Sequence, residues 1–289
     1  SFPVDSEGRT VLVRDVKAYD QAMGAEVTKA ILTQKVKELT PSISDHSIPV
    51  HLTANNSAYF QEGKNLEIRR THAQGEIINI PTLVQNYDNQ DVDIIMTLTT
   101  PVLTGAIAMA KKKPVVFTYV YDPLAAGAGK TKKDHLPNVT GVGSFPPVDD
   151  TIKTIQEIVP NLKSVGTIYN SSEANSRKVV EVAREKFKDL NIALEEVTVT
   201  STSEILLAGQ TLSQRGVQTI WVTGDNTVLQ GFDAVVKVAS DARIPLIIND
   251  PEFVSRGALA AIGLGWYEAG FAGGIVASKV LNGESTRSE

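Results

Sequence analysis

The sequence predicts an α/β fold of two Rossmann-like lobes with parallel sheets, and three observations predict it. Short continuous apolar runs recur along the chain, each followed by a polar loop and then by a segment of helical spacing. Such runs suit strands covered on both faces, and their alternation with helices implies parallel sheets with right-handed crossovers. The length of 289 residues exceeds one ordinary core and suits two, at roughly 150 residues per domain.

Residues 10–13 predict a first strand, residues 14–19 its loop, and residues 20–39 a helix that Pro41 stops. Residues 48–52 fit either a strand or an insertion. Leu66-Glu67-Ile68 predicts a strand ending at residues 72–75, and residues 77–89 have helical spacing. The apolar run 92–98 is a buried strand that stops at Thr99-Thr100-Pro101, and residues 102–110 form the helix packed on it. A second continuous strand, residues 114–120, ends at Tyr121-Asp122-Pro123. Residues 137–143 then form a short β-branched and Gly-containing strand that changes lobes, with Phe145-Pro146-Pro147 as a rigid connector.

The second half repeats the unit. Residues 149–159 are a helix capped by Asp149 or Asp150, because aspartate is a preferred N-cap. Strand 164–169 leads through loop 170–176 into a helix reaching residue 190. Strand 194–199, helix 203–215 and strand 219–222 follow, and loop 223–227 opens another helix. Strand 245–248 ends at Asn249-Asp250-Pro251. Residues 258–265 predict a strand of small residues with Trp266-Tyr267 as its polar end, and residues 269–281 a helix closed by Asn282-Gly283.

Composition removes several classes of function. Lys plus Arg is 28 against 33 for Asp plus Glu, a net charge of −5, without a basic arm that would neutralise phosphates, so nucleic acid is not an expected partner. The chain has no cysteine, which excludes disulfides, thiolate metal sites and cysteine nucleophiles. No apolar run reaches the ~20 residues that span a bilayer. The start at Ser1-Phe2-Pro3 without an initiator Met suggests that a leader or tag was removed or left out.

Motifs of catalysis do not form. Gly129-Lys130-Thr131 invites a phosphate-loop reading, but Leu124 stands where the first Gly is required. Gly141-Val142-Gly143 lacks the third Gly of a dinucleotide fingerprint, and Pro146-Pro147 blocks the helix that should follow. His46, His51, His72 and His135 lack ligand spacing, and no nucleophile elbow occurs. Neither a metal nor a cofactor is expected.

What remains is the set of strand-end loops, where open α/β sheets bind ligands. They hold Thr99, Thr100, Tyr121, Asp122, Asn170, Glu173, Asn175, Asp225, Asn226 and Asp250, with Phe145 at the crossing. Helix N-termini favour a carboxylate and neighbouring acids favour an ammonium, so the loops together suit an amphoteric ligand such as an amino acid. Ordinary caps and turns account for the same residue types.

From about residue 63 to residue 284 the chain resembles the substrate-binding proteins of ABC transporters, in the tryptophan/tyrosine-binding group. The resemblance is carried by Glu62-Gly63-Lys64-Asn65-Leu66-Glu67, Ala73-Gln74-Gly75, Thr100-Pro101, Pro114-Val115-Val116-Phe117 with Asp122-Pro123, and Asn138-Val139-Thr140-Gly141. It continues through Tyr169-Asn170, Glu173-Ala174-Asn175, Asp225-Asn226-Thr227 and Arg256-Gly257-Ala258, then Gly263 and Tyr267. The resemblance implies a type I periplasmic-binding-protein architecture, with one lobe from residues 1–142 plus 256–289 and the other from residues 143–255. It also implies an extracytoplasmic protein, often lipid-anchored, that serves an ABC permease in the membrane as a monomer. An aromatic or other apolar amino acid would be held between the lobes by hinge closure, without catalysis. Tyr121, Phe145 and Trp266 would supply stacking surface. The alternatives are a sensor domain of a signalling system and an α/β enzyme using the same cleft.

Overall fold

The computed structural model describes Phe60 and residues 62–286. The strand expected at residues 10–13, the helix at 20–39 and the segment at 48–52 lie outside the described residues. A short 3-10 turn, Ile77–Asn79, leads into α1 (Ile80–Asp88). Next come β1 (Ile95–Leu98), α2 (Thr100–Met109), β2 (Val115–Val120) and β3 (Val139–Gly143). Among the described residues these strands form a three-stranded parallel sheet in the order β1-β2-β3, with Ile95 beside Val115 and Val115 beside Val139.

The chain then enters a second sheet. Its elements are α3 (Val148–Ile158), β4 (Ser164–Asn170), α4 (Ala174–Asp189), β5 (Ala193–Val199), α5 (Ile205–Gln214) and β6 (Thr219–Val222). They continue with α6 (Asn226–Gln230), α7 (Phe232–Ala242), β7 (Leu246–Ile248) and β8 (Ala260–Ala261). All five strands pair parallel, in the order β5-β4-β6-β7-β8. The final helix, α8 (Trp266–Leu281), returns to pack on β2 and β3 of the first sheet.

Burial explains the continuous apolar runs. Every residue of β2 is buried. Val115 and Phe117 face the layer that holds Leu103 and Ala106 of α2, whereas Val116 faces Val276 and Ala277 of α8. The α8 backbone approaches closely because Gly273 lacks a side chain, and the Thr118 hydroxyl donates to the Ala269 carbonyl at 2.5 Å. In β6 the same alternation sends Ile220 and Val222 toward α5 and α7, and Trp221 toward α3 and α4. Strands covered on both faces are those expected of parallel sheets, and each fully buried side chain contributes about 1.5–3 kcal/mol.

Four expectations are corrected. Leu66-Glu67-Ile68 forms no strand; only a single bridge joins Glu62 to Leu66. The strand expected at residues 258–265 is cut to Ala260–Ala261. Trp266 and Tyr267 open α8 rather than ending a strand, because the Glu252 carboxylate accepts the Trp266 N–H at 2.5 Å and supplies the helix start. Helix α3 begins one residue early, with Pro147 at the N-cap; Asp149 and Asp150 sit in its first turn, where they complement the helix dipole instead of capping it. No helix among the described residues is long and apolar enough to cross a membrane.

Candidate functional site

The carboxyl ends of β4 and β6 are knitted into one buried polar cluster. Asp225 has extended backbone before α6, and its Oδ1 accepts the Val228 N–H at 2.9 Å, an N-cap. Its Oδ2 accepts the Asn170 N–H at 2.8 Å and the Ser176 hydroxyl at 2.6 Å. Glu173 reaches from the loop before α4 to the same helix terminus. One of its oxygens accepts the Thr227 N–H and hydroxyl, both at 2.9 Å; the other accepts the Asn226 N–H at 3.0 Å and its side-chain amide at 2.6 Å. The Asn175 amide adds a longer bond to Glu173 at 3.3 Å, and the Asn170 amide donates to Thr227 at 3.0 Å. Asn170, Glu173, Asn175, Asp225 and Asn226 are thus brought together. Burial and the nearby Glu173 charge push the Asp225 carboxyl up, against the bonds from Ser176, Asn170 and Val228.

Asp250, at the end of β7, is fully buried in a different way. Its Oδ1 meets the Trp266 indole N–H at 3.4 Å, and its Oδ2 has no hydrogen-bond partner among the described residues. Burial, followed by the Glu252 charge, pushes this carboxyl up to about 7, with the Trp266 bond opposing. Tyr121, just beyond β2 in the other sheet, belongs to the same buried cluster as Trp221, Ile247 and Ile262 beside the five-stranded sheet. Its hydroxyl covers Gly224 so closely that a methyl group there would overlap it, and the same point lies 3.1 Å from Asp250 Oδ2. Burial, then the charges of Asp225 and Glu173, push the Tyr121 phenol up. Strand ends of both sheets therefore meet at Gly224.

An aromatic chain lines this junction. Tyr121 lies 6.3 Å from Phe145 and 6.4 Å from Tyr119, which lies 6.4 Å from Trp266; Trp266 continues to Phe253 at 5.7 Å. Phe145 is 41% exposed, which leaves part of its ring open to a visitor. A cavity of about 10 Å³ beneath the junction is lined by Tyr119, Tyr121, Ser144, Pro146, Asn249, Gly263 and Leu264.

The remaining predicted residues serve local structure. Asp122 turns back on its own loop, accepting the Ala125 N–H at 2.9 Å. Thr99 holds a left-handed φ of 77° at the end of β1, with its N–H on the Thr118 carbonyl and its own carbonyl on Leu103. Thr100 is buried as the first residue of α2, which approaches α4 across the gap between the sheets. No hydrogen bond joins Thr99, Thr100 or Asp122 to the Asp225 cluster among the described residues.

Sequence reasoning missed Tyr119, hidden inside an apolar run, and named Ser176, whose hydroxyl closes the Asp225 cluster, only as the end of loop 170–176. Asn249, named only as part of a strand-end loop, is a framework residue. It accepts the Trp221 indole N–H at 2.9 Å and donates to Thr151 at 3.1 Å and to the Ile262 carbonyl at 2.7 Å. Among the described residues no group of three or more His, Asp or Glu side chains stands ready to hold a metal ion.

A sequence profile of the family described as ABC transporter substrate binding protein matches residues 53–288. The chain belongs to this family. Among the family's known members, it is 29% identical to the tyrosine-binding protein of Clostridioides difficile (strain R20291) over 226 residues, or 78% of this chain. The chain spans 65% of that relative's length. The solved ABC domain in complex with L-Trp from Streptococcus pneumonia superposes with a TM-score of 0.75 at 27% identity, covering 79% of this chain and 77% of that one. The ligand-free, open structure of a substrate-binding protein with adhesive properties from Clostridium difficile gives 0.58 at 30% identity, covering 80% and 78%. The fold of this substrate-binding protein is the type I periplasmic-binding-protein architecture.

Proposed function

We propose that this substrate-binding protein delivers an amphoteric ligand, an aromatic or other apolar amino acid, to an ABC importer by closing two lobes around it. The observation that carries the reading is the junction at Gly224. There Tyr121 from one sheet meets Asp225 and Asp250 from the other, so the strand ends converge on one gap. One lobe is residues 1–142 with the C-terminal return, and the other begins at residue 143. Because β8 pairs with β7 and α8 packs on the first sheet, the return runs through residues 262–266. The protein works as a monomer outside the cytoplasm, tethered by lipid or free in the periplasm, and binds without turnover.

Two further facts support this reading. The chain superposes better on the L-Trp complex than on the open, ligand-free relative at similar coverage, 0.75 against 0.58, which favours a closed arrangement of lobes. The rings of Tyr119, Tyr121, Phe145 and Trp266 offer stacking surface of the kind an aromatic side chain seeks. Titration calorimetry with tyrosine, tryptophan, phenylalanine and leucine is the test. Saturable binding of at least one is expected, and heat signals no larger than dilution for all four would remove the ligand class.

A further inference from the structure

The junction between the sheets is filled by one of the chain's own side chains. Tyr121 stands just beyond β2 of the first sheet, yet it is only 6% exposed and shares the buried cluster of Trp221, Ile247 and Ile262 beside the second. Its hydroxyl covers Gly224, where a β-carbon would overlap it, and Asp250 Oδ2 lies 3.1 Å from that same point. Phe145 and Tyr119 flank the ring at 6.3 and 6.4 Å. The cavity beneath it is about 10 Å³, about the least that holds one water molecule. A pocket that encloses a small organic molecule has on the order of 300 Å³ or more.

The backbone is shaped on both sides to put the ring there. The pairing of β2 with β3 shifts register between Phe117 and Val120, and within that shift Tyr119 holds a left-handed φ of +56°. A bulky residue keeps such a conformation only where its surroundings impose it, and irregularities of this kind re-aim the side chains that follow. Gly224 completes the fit from the other sheet: its φ of +72° suits glycine, and its bare Cα admits the phenol. A strained strand end and a missing side chain thus serve one contact between the sheets.

We propose that Tyr121 is an internal ligand: its ring bridges the lobes in the place an incoming solute must take, holding them together beforehand and competing with the solute for the junction. This rests on the function proposed above and adds a displacement step to it. The ring must leave the junction before an amino acid enters, so every solute meets the same cost. Each then binds more weakly than the bare junction would allow, because only the displaced state is competent to receive it.

The experiment compares the wild-type protein with Tyr121→Ala and Tyr121→Phe, each dialysed free of small molecules. X-ray scattering is recorded without added solute, and titration calorimetry uses tyrosine, tryptophan, phenylalanine and leucine. Tyr121→Ala is expected to enlarge the radius of gyration and to bind every accepted solute more tightly by a common factor of about ten or more, as for a competent state held below about a tenth of the population. Tyr121→Phe keeps the ring without the hydroxyl over Gly224 and is expected to fall between the two; it carries the test if the alanine variant does not fold. Scattering identical to wild type in the variants overturns the assignment. So does an affinity that is unchanged or weakened, which makes Tyr121 a wall of the pocket. A gain confined to the largest solutes also overturns it, since that marks a wall cut back and not a competitor removed. In these cases amino-acid binding itself stands, whereas three proteins that bind none of the four compounds overturn the assignment together with the ligand class.

Discussion

Glu173 organises more of its surroundings than a loop position suggests. It saturates the first two N–H groups of α6 and two side chains there, joining residues 53 and 54 positions away in sequence. Glu173→Gln keeps the shape but turns an acceptor-only group into one that must also donate, and it is expected to cost about 2–3 kcal/mol in urea unfolding. Asp250 acts in the opposite sense. Its folded-state carboxyl, at about 7, lies above the ~3.9 of an unfolded chain, so folding favours the protonated acid. That stabilisation is complete below the unfolded value and is lost as the pH rises through about 7, and Asp225 shifts in the same direction. The ligand-free melting temperature should fall between pH 5 and pH 8, and Asp250→Asn should flatten the fall. The residue types at the strand ends were legible in the sequence. Which acids are satisfied was not, because the donors that join Glu173 to Asn226 and Thr227, and Asp225 to Asn170 and Ser176, stand 49 to 55 residues away in sequence.

At the level of elements, two glycines form a controlled comparison. Gly216 and Gly224 hold nearly the same left-handed backbone, φ +71° and +72°. A β-carbon at Gly216 meets nothing within 4 Å, whereas one at Gly224 overlaps the Tyr121 hydroxyl. Gly216→Ala should therefore cost only the backbone strain, about 1–2 kcal/mol, and Gly224→Ala distinctly more, with the excess reporting the contact between the sheets. Melting curves of the two variants check this. Strands and helices with strong patterns, such as β2, β4 and α4, were readable because burial on both faces forces continuous apolar runs. The start of α8 was not, since the group that satisfies the Trp266 N–H is the Glu252 side chain fourteen residues earlier. The small-residue run 258–265 misled for a related reason: it yields only two paired residues before Gly263 packs directly against the Asn249 carbonyl.

For the molecule as a whole, a second meeting of the two halves lies at the rim. Gly75, with φ +80°, stands against the end of the exposed Gln230 side chain, from the last residue of α6, so that a β-carbon there would have to push the Gln230 amide aside. Gly75→Leu should hold the lobes apart, enlarging the radius of gyration measured by X-ray scattering with ligand present and weakening binding by about tenfold or more. An unchanged scattering profile and affinity would show that this contact does not limit closure. The two-sheet plan was legible because alternation survives any local error. The meeting of Gly75 with Gln230 was not, since it depends on the angle between sheets, which no local pattern encodes.

The two tryptophans of the chain occupy opposite situations. Trp221 is sealed in the core with its indole N–H fixed on Asn249, and Trp266 stands at the junction with its indole N–H on Asp250. Their ultraviolet emission should differ accordingly: Trp221 supplies a steady background, and Trp266 changes intensity or wavelength when a solute arrives. On the proposed function the protein would carry its own optical gauge of occupancy, and replacing Trp266 with Phe should silence the response while leaving the background glow.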